Sequence, residues 1–598
     1  MTPLTPLTSL TSLTSLTPMT RLTPQQVFDD MRAQGDMVLD KLDECAAQMP
    51  DKVYLHYGED NIRMRFSEVK AQTDRIAAAL AAMGLPPGQP VSVLTRNSLV
   101  GTLAMYAIWR AGGVFAPVNF GFRGALLSYQ LNDTAPFALI TDSSFAAALS
   151  EIAAEIELRR LVVHRPGAGD HDFSAGPAPD FDPRFALSDF AALRGHSGPV
   201  PHVPRGPLDI ANIVYTSGTT GPSKGVLQPF RWMNHYTYPL RATTTSADVL
   251  YCDLPLYHVG GAFALVARAL WQGNTVGLWD RFSPTRFWER IEDCGASSCI
   301  LLDVMIPWLM NAAPRPGDRA NTLNKVHMQP LPVNHNEVAR RFGIDFVSCG
   351  FGQTESGSGF ACVIDELGDQ TGTPAALWKG RSKAEYRASC QASGRLLVDG
   401  NQPLPKGFMG RANPVLEVAI LDEDDNHVPP GTVGQLAFRP RFPGLLLQEY
   451  LRKPQVTVQA QRNCWFHTGD ACRQIAEAPD TYAFVDRMGG LCRVRGENVS
   501  SFDVEALLAR QPGVRAVAAV PIPAQVGDED EIAVFIEVTS GATLDEAAVR
   551  RHAQASMPGF MQPRYIRLVD ALPVTATNKI EKYKLKQQLL QELGSAAA

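Results

Sequence analysis

The chain has 598 residues, too many for one hydrophobic core, so roughly two to four domains or subdomains are expected. Its 45% apolar and 19% charged residues describe an ordinary globular protein, and a net charge of −6 with a pI near 6.1 excludes nucleic-acid binding as the main business, which needs a basic surface. The ten cysteines are scattered with no C-x-x-C pair, and Cys294 and Cys299 have no histidine pair nearby, so a zinc site is not expected and free thiols in a reducing cytoplasm are the economical reading.

The first two dozen residues repeat Thr-Pro-Leu and Thr-Ser-Leu without a basic start or a continuous apolar stretch. They do not read as a secretory signal; residues 1–24 are expected to be a disordered low-complexity tail, or an extension upstream of a start at Met19 or Met31. From Pro24 the pattern becomes globular, with a helix predicted over Ala71 to Met83, a strand at Pro90 to Leu94, a helix over Leu103 to Arg110 and a strand at Val114 to Val118. Further strands are predicted at Ala138 to Thr141 and Leu161 to Val163. Strands alternating with helices at this rhythm predict a largely parallel sheet with helices on both faces. No apolar run reaches the length of a bilayer, because Arg110 interrupts the stretch Leu99 to Phe122 and Arg268 interrupts the next candidate.

A Gly, Pro, Asp and Ser-rich connection from Pro166 to Pro207 leads to the most informative segment, Ile213-Val214-Tyr215-Thr216-Ser217-Gly218-Thr219-Thr220-Gly221-Pro222-Ser223-Lys224-Gly225. Glycines let successive N–H groups turn toward one anion, hydroxyls add donors, and Lys224 supplies a mobile positive charge; together these predict a polyphosphate-holding loop and an ATP user. The Walker A spacing is absent, since Pro222 and Ser223 separate the second glycine from the lysine. A second α/β unit is predicted from Asp248 through Phe351. Residues Cys362 to Phe408 show no clear periodicity and read as an excursion, one that could cover a neighbouring site. Strands at Val415 to Leu421 and Gly434 to Phe438 predict a small β-rich subdomain. Character changes at Asp486-Arg487-Met488-Gly489-Gly490, after which an α/β module of about a hundred residues closes the chain.

Several motifs coincide in order with one family: Trp109 to Asn119, the phosphate loop, Tyr257-His258-Val259-Gly260-Gly261, Phe351-Gly352-Gln353-Thr354-Glu355, Thr468-Gly469-Asp470, Asp486-Arg487, Arg495-Gly496-Glu497-Asn498 and Asn578-Lys579-Ile580. The chain resembles the adenylate-forming superfamily of acyl-CoA synthetases, adenylation domains and luciferases over nearly everything after about residue 30. Residues Arg495 to Ser501 and Ala313 to Arg319 look most like the carnitine/crotonobetaine CoA ligase group. The resemblance implies an α/β fold: a large N-terminal domain of two α/β sheet subdomains plus a small β-rich subdomain (25–486), then a small mobile C-terminal α/β domain (487–598).

It also implies an activity, ATP-dependent adenylation of a small carboxylic acid with release of pyrophosphate, then transfer to the CoA thiol, with Mg²⁺ as the metal. By resemblance Thr216, Ser217, Gly218, Thr219, Thr220, Gly221 and Lys224 hold phosphates, Thr354 touches the α-phosphate, and Glu355 is a catalytic residue and the metal ligand, a hard oxygen suited to Mg²⁺. Phe351 and Gly352 face adenine, with phenylalanine where tyrosine is usual; Asp470 accepts from the ribose hydroxyls and Arg487 adds a charge-assisted contact. Lys579 is the expected catalyst of adenylation, because an ammonium bridging carboxylate and α-phosphate cancels charge where it accumulates; asparagine replaces the usual glycine at Asn578. The acyl pocket is assigned to Tyr257, His258, Val259, Gly260, Asp303, Val304, Cys349 and Gly350, with Asp303 an odd carboxylate in an apolar run that pairs either with a cationic or hydroxylated substrate or with nearby backbone. Gly489 matches the hinge, and Arg493, Gly496, Glu497 and Asn498 the pantetheine tunnel.

Two alternatives stand beside the ligase: an adenylation enzyme loading a separate carrier protein, and a catalytically silent nucleotide-binding relative. Retention of Lys224, Glu355, Asp470, Arg487 and Lys579 argues against the silent relative, and no Asp gripping an α-amine follows Tyr257-His258, which disfavours an amino-acid substrate. No nucleic-acid partner and no membrane span are expected, and nothing in the sequence specifies an oligomeric state.

Overall fold

The computed structural model describes residues 21–173, 180–216, 223–302, 304–478, 480–494, 497–524, 530–557, 559–574 and 580–596. They fall into two compact units, the first drawn from residues 21–216, 223–417 and 438–461, the second from 418–437 and 462–596. The architecture is mixed α/β, a large sheet-based N-terminal part and a small C-terminal module.

The first unit contains two sheets. One runs Phe408–Ala412, Gly357–Asp365, Phe346–Gln353, Lys325–Gln329, Ser298–Leu302, Val249–Cys252, Thr275–Leu278, Val53–Tyr57, Ile62–Arg65 in spatial order, parallel from Phe346–Gln353 to Val53–Tyr57 and antiparallel at both ends. The other runs Glu449–Tyr450, Lys224–Pro229, Ile210–Thr216, Val114–Pro117, Pro90–Leu94, Leu139–Asp142, Arg160–His164, Ala186–Asp189, parallel from its third strand onward. Parallel strands need crossover helices, which cover both faces and leave the strands buried throughout, as in Leu139–Asp142.

The helix Ser98–Arg110 starts where Asn97 accepts from the Val100 N–H, five residues before the predicted boundary at Leu103. It is buried all round from Ser98 to Trp109. Such a helix belongs in a protein core rather than a bilayer because Arg110, at its end, is answered by Asp43 (Nη1 to Oδ2, 2.8 Å) and Asp74 (Nε to Oδ1, 3.2 Å). No helix among the described residues is long and apolar enough to cross a membrane.

The excursion is more ordered than its sequence indicated. It contains the strand end of Gly357–Asp365, a helix Lys383–Ala392 and the short strand Leu397–Asp399. The missed signal is Ser382-x-x-Glu385: Ser382 accepts from the Glu385 N–H while the Glu385 carboxylate accepts from the Ser382 N–H, closing a capping box. The helix packs Tyr386 face to face on Phe346, with ring centroids 4.1 Å apart.

In the second unit residues 418–421 and 434–437 are strand segments, and the strands Phe466–Gln474 and Thr481–Arg487 pair antiparallel. Beyond them stand the hairpin Leu491–Val494 with Glu497–Ser500 and a three-stranded sheet of Val514–Pro523, Asp530–Val538 and Tyr565–Val569. Strand alternation divides that sheet's core in two. Val517, Ile532, Val534 and Ile536 pack with the helices Ser501–Leu508 and Glu546–Ser556, while Ala518, Val520, Ala533 and Phe535 pack with Leu585 and Leu589 of the helix Lys582–Ala596.

Candidate active site

The hairpin Ile210–Thr216 and Lys224–Pro229 brings Thr216 and Lys224 opposite each other as ladder partners at the mouth of the phosphate loop. Ser217, Gly218, Thr219, Thr220 and Gly221 lie outside the described residues. Across from this mouth, Thr354 and Glu355 occupy the turn joining Phe346–Gln353 to Gly357–Asp365. That turn is held from three sides: Gln228 Nε2 donates to the Thr354 carbonyl at 2.7 Å, and the Glu355 carbonyl accepts from the Leu447 N–H at 2.7 Å and from Trp232 Nε1 at 3.3 Å. With both carbonyls of the turn engaged, the half-buried Glu355 carboxylate is aimed by the fold; Oε1 accepts from Tyr450 Oη at 3.1 Å and Thr216 Oγ1 at 3.4 Å. Burial and the Glu355 charge push the Tyr450 hydroxyl well above the ordinary phenol range, so it stays a donor. Lys224 Nζ stands over the same Tyr450 ring, 4.6 Å from its centroid. One carboxylate, two hydroxyls and an ammonium thus converge, hard oxygens for a divalent cation beside a cation for phosphate.

Phe351 precedes this turn, its ring 6.1 Å from Phe360 and 6.2 Å from Phe438. Gly350 and Gly352 have no room for a side chain: a Cβ would lie 2.4 Å from the Phe360 carbonyl oxygen at the first, and 2.9 Å from that of Gly357 at the second. Cys349 is buried beside Cys362, its ladder partner, and by strand alternation faces away from Ser348 and Gly350.

The remaining acyl-pocket assignments separate in space. Tyr257 packs edge-on against Phe120, centroids 4.9 Å apart, and lines a small cavity together with Arg96 and Asp280. Asp280 accepts from the Ser98 N–H and Tyr57 Oη, both at 2.7 Å, yet burial raises its carboxyl to about 6. His258 is exposed, its ring 4.5 Å from that of Tyr257, and Gly260 opens a π-helical segment, Gly260–Ala267. Asp303 lies outside the described residues; Val304 is exposed. A second, water-sized cavity is lined by Arg268, His327, Ser348 and Tyr386. None of these four was singled out as a site residue in the sequence. Arg268 alone left a trace there, as a charge inside an apolar run.

In the second unit, Asp470 and Arg487 are opposite each other in the ladder of Phe466–Gln474 with Thr481–Arg487, and Arg487 Nε lies 3.0 Å from Asp470 Oδ1. The carboxylate is buried and the guanidinium half exposed. Gly469, at φ +72°, supplies the left-handed turn that presents Asp470, whose N–H donates to Thr468 Oγ1 at 3.1 Å. Asp486 accepts from the N–H groups of Arg487 (2.7 Å) and Phe502 (3.2 Å) and from Ser501 Oγ (2.8 Å), fastening the strand end to the following helix. Between these, Gly489 lies in the turn Met488–Gly490, and Arg493 pairs with Asn498, and Val494 with Glu497, across the hairpin. Gly496 and Lys579 lie outside the described residues. Two neighbours of Lys579 are engaged in ion pairs, Lys582 with Glu505 at 2.8 Å and Lys584 with Glu581 at 2.6 Å.

These features define an adenylate-forming enzyme, and comparison with known proteins agrees. The AMP-binding enzyme profile matches residues 42–446 and that of the AMP-binding enzyme C-terminal domain matches 503–579, so the chain belongs to the AMP-binding enzyme family. It is an acyl-CoA ligase of that family. It is 28% identical over 556 residues to the medium/long-chain-fatty-acid–CoA ligase FadD6 of Mycobacterium tuberculosis, covering 91% of this chain and 84% of the relative. With the crotonobetaine/carnitine–CoA ligase of Escherichia coli O8 it shares 25% identity over 536 residues, 88% of this chain and 93% of the relative. Its fold is similar to the O-succinylbenzoate coenzyme A synthetase of Bacillus subtilis in complex with ATP and magnesium ion: TM-score 0.70, 20% identity, 91% of this chain and 99% of that one.

Proposed function

We propose that this acyl-CoA ligase binds ATP with its phosphates against Thr216, Lys224 and the loop between them, adenylates a small carboxylic acid with release of pyrophosphate, and passes the acyl group to CoA. The observation carrying this reading is the convergence of Glu355, Tyr450, Thr216 and Lys224. The donor set suits Mg²⁺, with Glu355 as the residue that would hold it; when bound, the ion adds positive charge between the phosphates. Glu355 enters this role already oriented, because its backbone carbonyl and two hydroxyls fix the side chain before any ligand arrives. Lys224 neutralises phosphate charge. Asp470 binds the ribose hydroxyls, and Arg487, its ion-pair partner, holds that carboxylate in place and adds a contact of its own.

The incoming carboxylate and the α-phosphate are both anions, and we assign their bridging to Lys579, whose ammonium cancels the repulsion while Thr354 positions the α-phosphate. The thiol then attacks the acyl adenylate, AMP leaves, and residues Arg493, Gly496, Glu497 and Asn498 guide the pantetheine after rotation about Gly489. In this scheme residues 25–486 form the adenylating body and 487–598 the mobile part. Ten cysteines without a disulfide support activity in the cytoplasm.

Acid-dependent exchange of labelled pyrophosphate into ATP tests the first half-reaction, and CoA consumption separates a ligase from a carrier loader. Lys579→Ala is expected to reduce exchange by about 100-fold or more while leaving thioester formation from supplied acyl-AMP intact. Full-speed exchange in that variant refutes the lysine assignment.

A further inference from the structure

The hairpin turn after the strand Val53–Tyr57 carries two consecutive carboxylates, Glu59 and Asp60, and the chain returns to it twice from far along the sequence. The strand Thr275–Leu278, parallel to Val53–Tyr57, ends two residues before Asp280. The start of the long connection after Pro166 brings in His171. Ligating atoms of Glu59, His171 and Asp280, one from each, lie within 4.8 Å of one another, with His171 Nε2 3.9 Å from Asp280 Oδ2. All three belong to the first unit, and none takes part in the cluster around Glu355.

Burial and charge set this cluster apart from the acidic groups common on protein surfaces. The Asp280 side chain is wholly buried, that of Glu59 is 10% exposed and that of His171 30%. Glu59 Oε1 is paired with Arg290 Nη2 at 3.2 Å. Asp280 accepts only from neutral donors, the Ser98 N–H and Tyr57 Oη, and among the described residues no Lys or Arg pairs with it. Two carboxylates this close in a buried setting repel, and one guanidinium answers only one of them.

Each side chain is also held from behind. Ser98 and Tyr57 take one lone pair on each oxygen of Asp280 and leave one on each. Arg290, which steadies Glu59, is itself fixed by donating from Nη1 to the Arg281 carbonyl at 2.7 Å. The His171 N–H donates to Asp60 Oδ1 at 2.5 Å, and its ring packs edge-on against Phe173, centroids 4.8 Å apart. Among the described residues neither ring nitrogen of His171 makes a hydrogen bond, so both remain able to ligate. Ligands oriented by such outer partners are the usual construction of a metal centre.

We propose that Glu59, His171 and Asp280 bind one Zn²⁺ ion, with water completing its coordination, and that the ion clasps the start of the 166–207 connection to the turn after Val53–Tyr57. One imidazole nitrogen and two carboxylate oxygens suit zinc. Mg²⁺, which accompanies ATP, prefers oxygen ligands and loses its water reluctantly, so the imidazole selects against it. Ligand atoms in a tetrahedral zinc site with bonds of about 2.0 Å lie about 3.3 Å apart, so the His171–Asp280 pair closes by about half an ångström on binding. His171, on irregular and partly exposed backbone, supplies that movement.

The test uses the full-length protein, stripped with a chelator and titrated calorimetrically with zinc chloride in excess Mg²⁺. One zinc ion per chain is expected, with the thermal unfolding midpoint raised at saturation. His171→Ala should weaken binding by about 100-fold or more, and Tyr57→Phe, which removes only a hydrogen bond to Asp280, by about 10–100-fold. Cobalt(II) loaded in place of zinc should show d–d bands without sulfur-to-metal charge transfer, since no cysteine is among the ligands. A wild type that binds no zinc overturns the proposal, as does equal affinity in His171→Ala, or a thiolate charge-transfer band, which puts the ion on cysteine. Should metal-free His171→Ala be misfolded by circular dichroism, Tyr57→Phe and the wild-type cobalt spectrum decide alone.

Discussion

Asp253 follows directly on the strand Val249–Cys252 and begins the segment that carries Tyr257 to the wall of the larger cavity, so its ionisation bears on the site's stability. It is 3% exposed, and its Oδ2 has no hydrogen-bond partner. Burial lifts its carboxyl from 3.8 to about 6, against the lowering effects of the Tyr251 hydroxyl and the Arg290 charge. Between those two values the native state holds a proton that the unfolded chain has released, so stability falls as pH rises through that window. At about 1.4 kcal/mol per pH unit, the charged form costs about 3 kcal/mol once the native group has fully ionised, near pH 8, and about half of that at pH 5. Asp253→Asn keeps the shape and removes the titration. Urea unfolding of wild type and variant at both pH values measures the difference, and the variant's relative stability should rise by about 1–2 kcal/mol from pH 5 to pH 8. A difference independent of pH, or one that shrinks as pH rises, refutes a buried, ionising Asp253.

Glu355→Gln preserves the hydrogen-bonding shape but removes the charge facing Thr216 and Tyr450, and should lower pyrophosphate exchange by about 100-fold or more with the fold intact by circular dichroism. Lys325→Met strands the buried Asp248 and should cost about 3–5 kcal/mol in urea unfolding; adding Asp248→Asn should recover most of it.

The parts of this protein that sequence makes legible are those whose chemistry is local. Gly, Ser and Thr before Lys224 announce a phosphate loop because the turn and its donors are consecutive residues, and β-branched runs such as Leu161 to Val163 announce buried strands because alternation and burial act within a few positions. Ser382-x-x-Glu385 was equally local, and its helix was legible in principle through its cap. Charge pairing was not. Nothing along the chain distinguishes Arg110, paired with Asp43 and Asp74 from two other helices, from Arg268, which makes no ion pair with a carboxylate among the described residues, since an ion pair depends on which segments the fold brings together. The same holds for the second cavity, where Arg268, His327, Ser348 and Tyr386 come from four separate segments. The sheet, the helix Phe230–Arg241 and the excursion meet only in three dimensions, and only there are these side chains buried together.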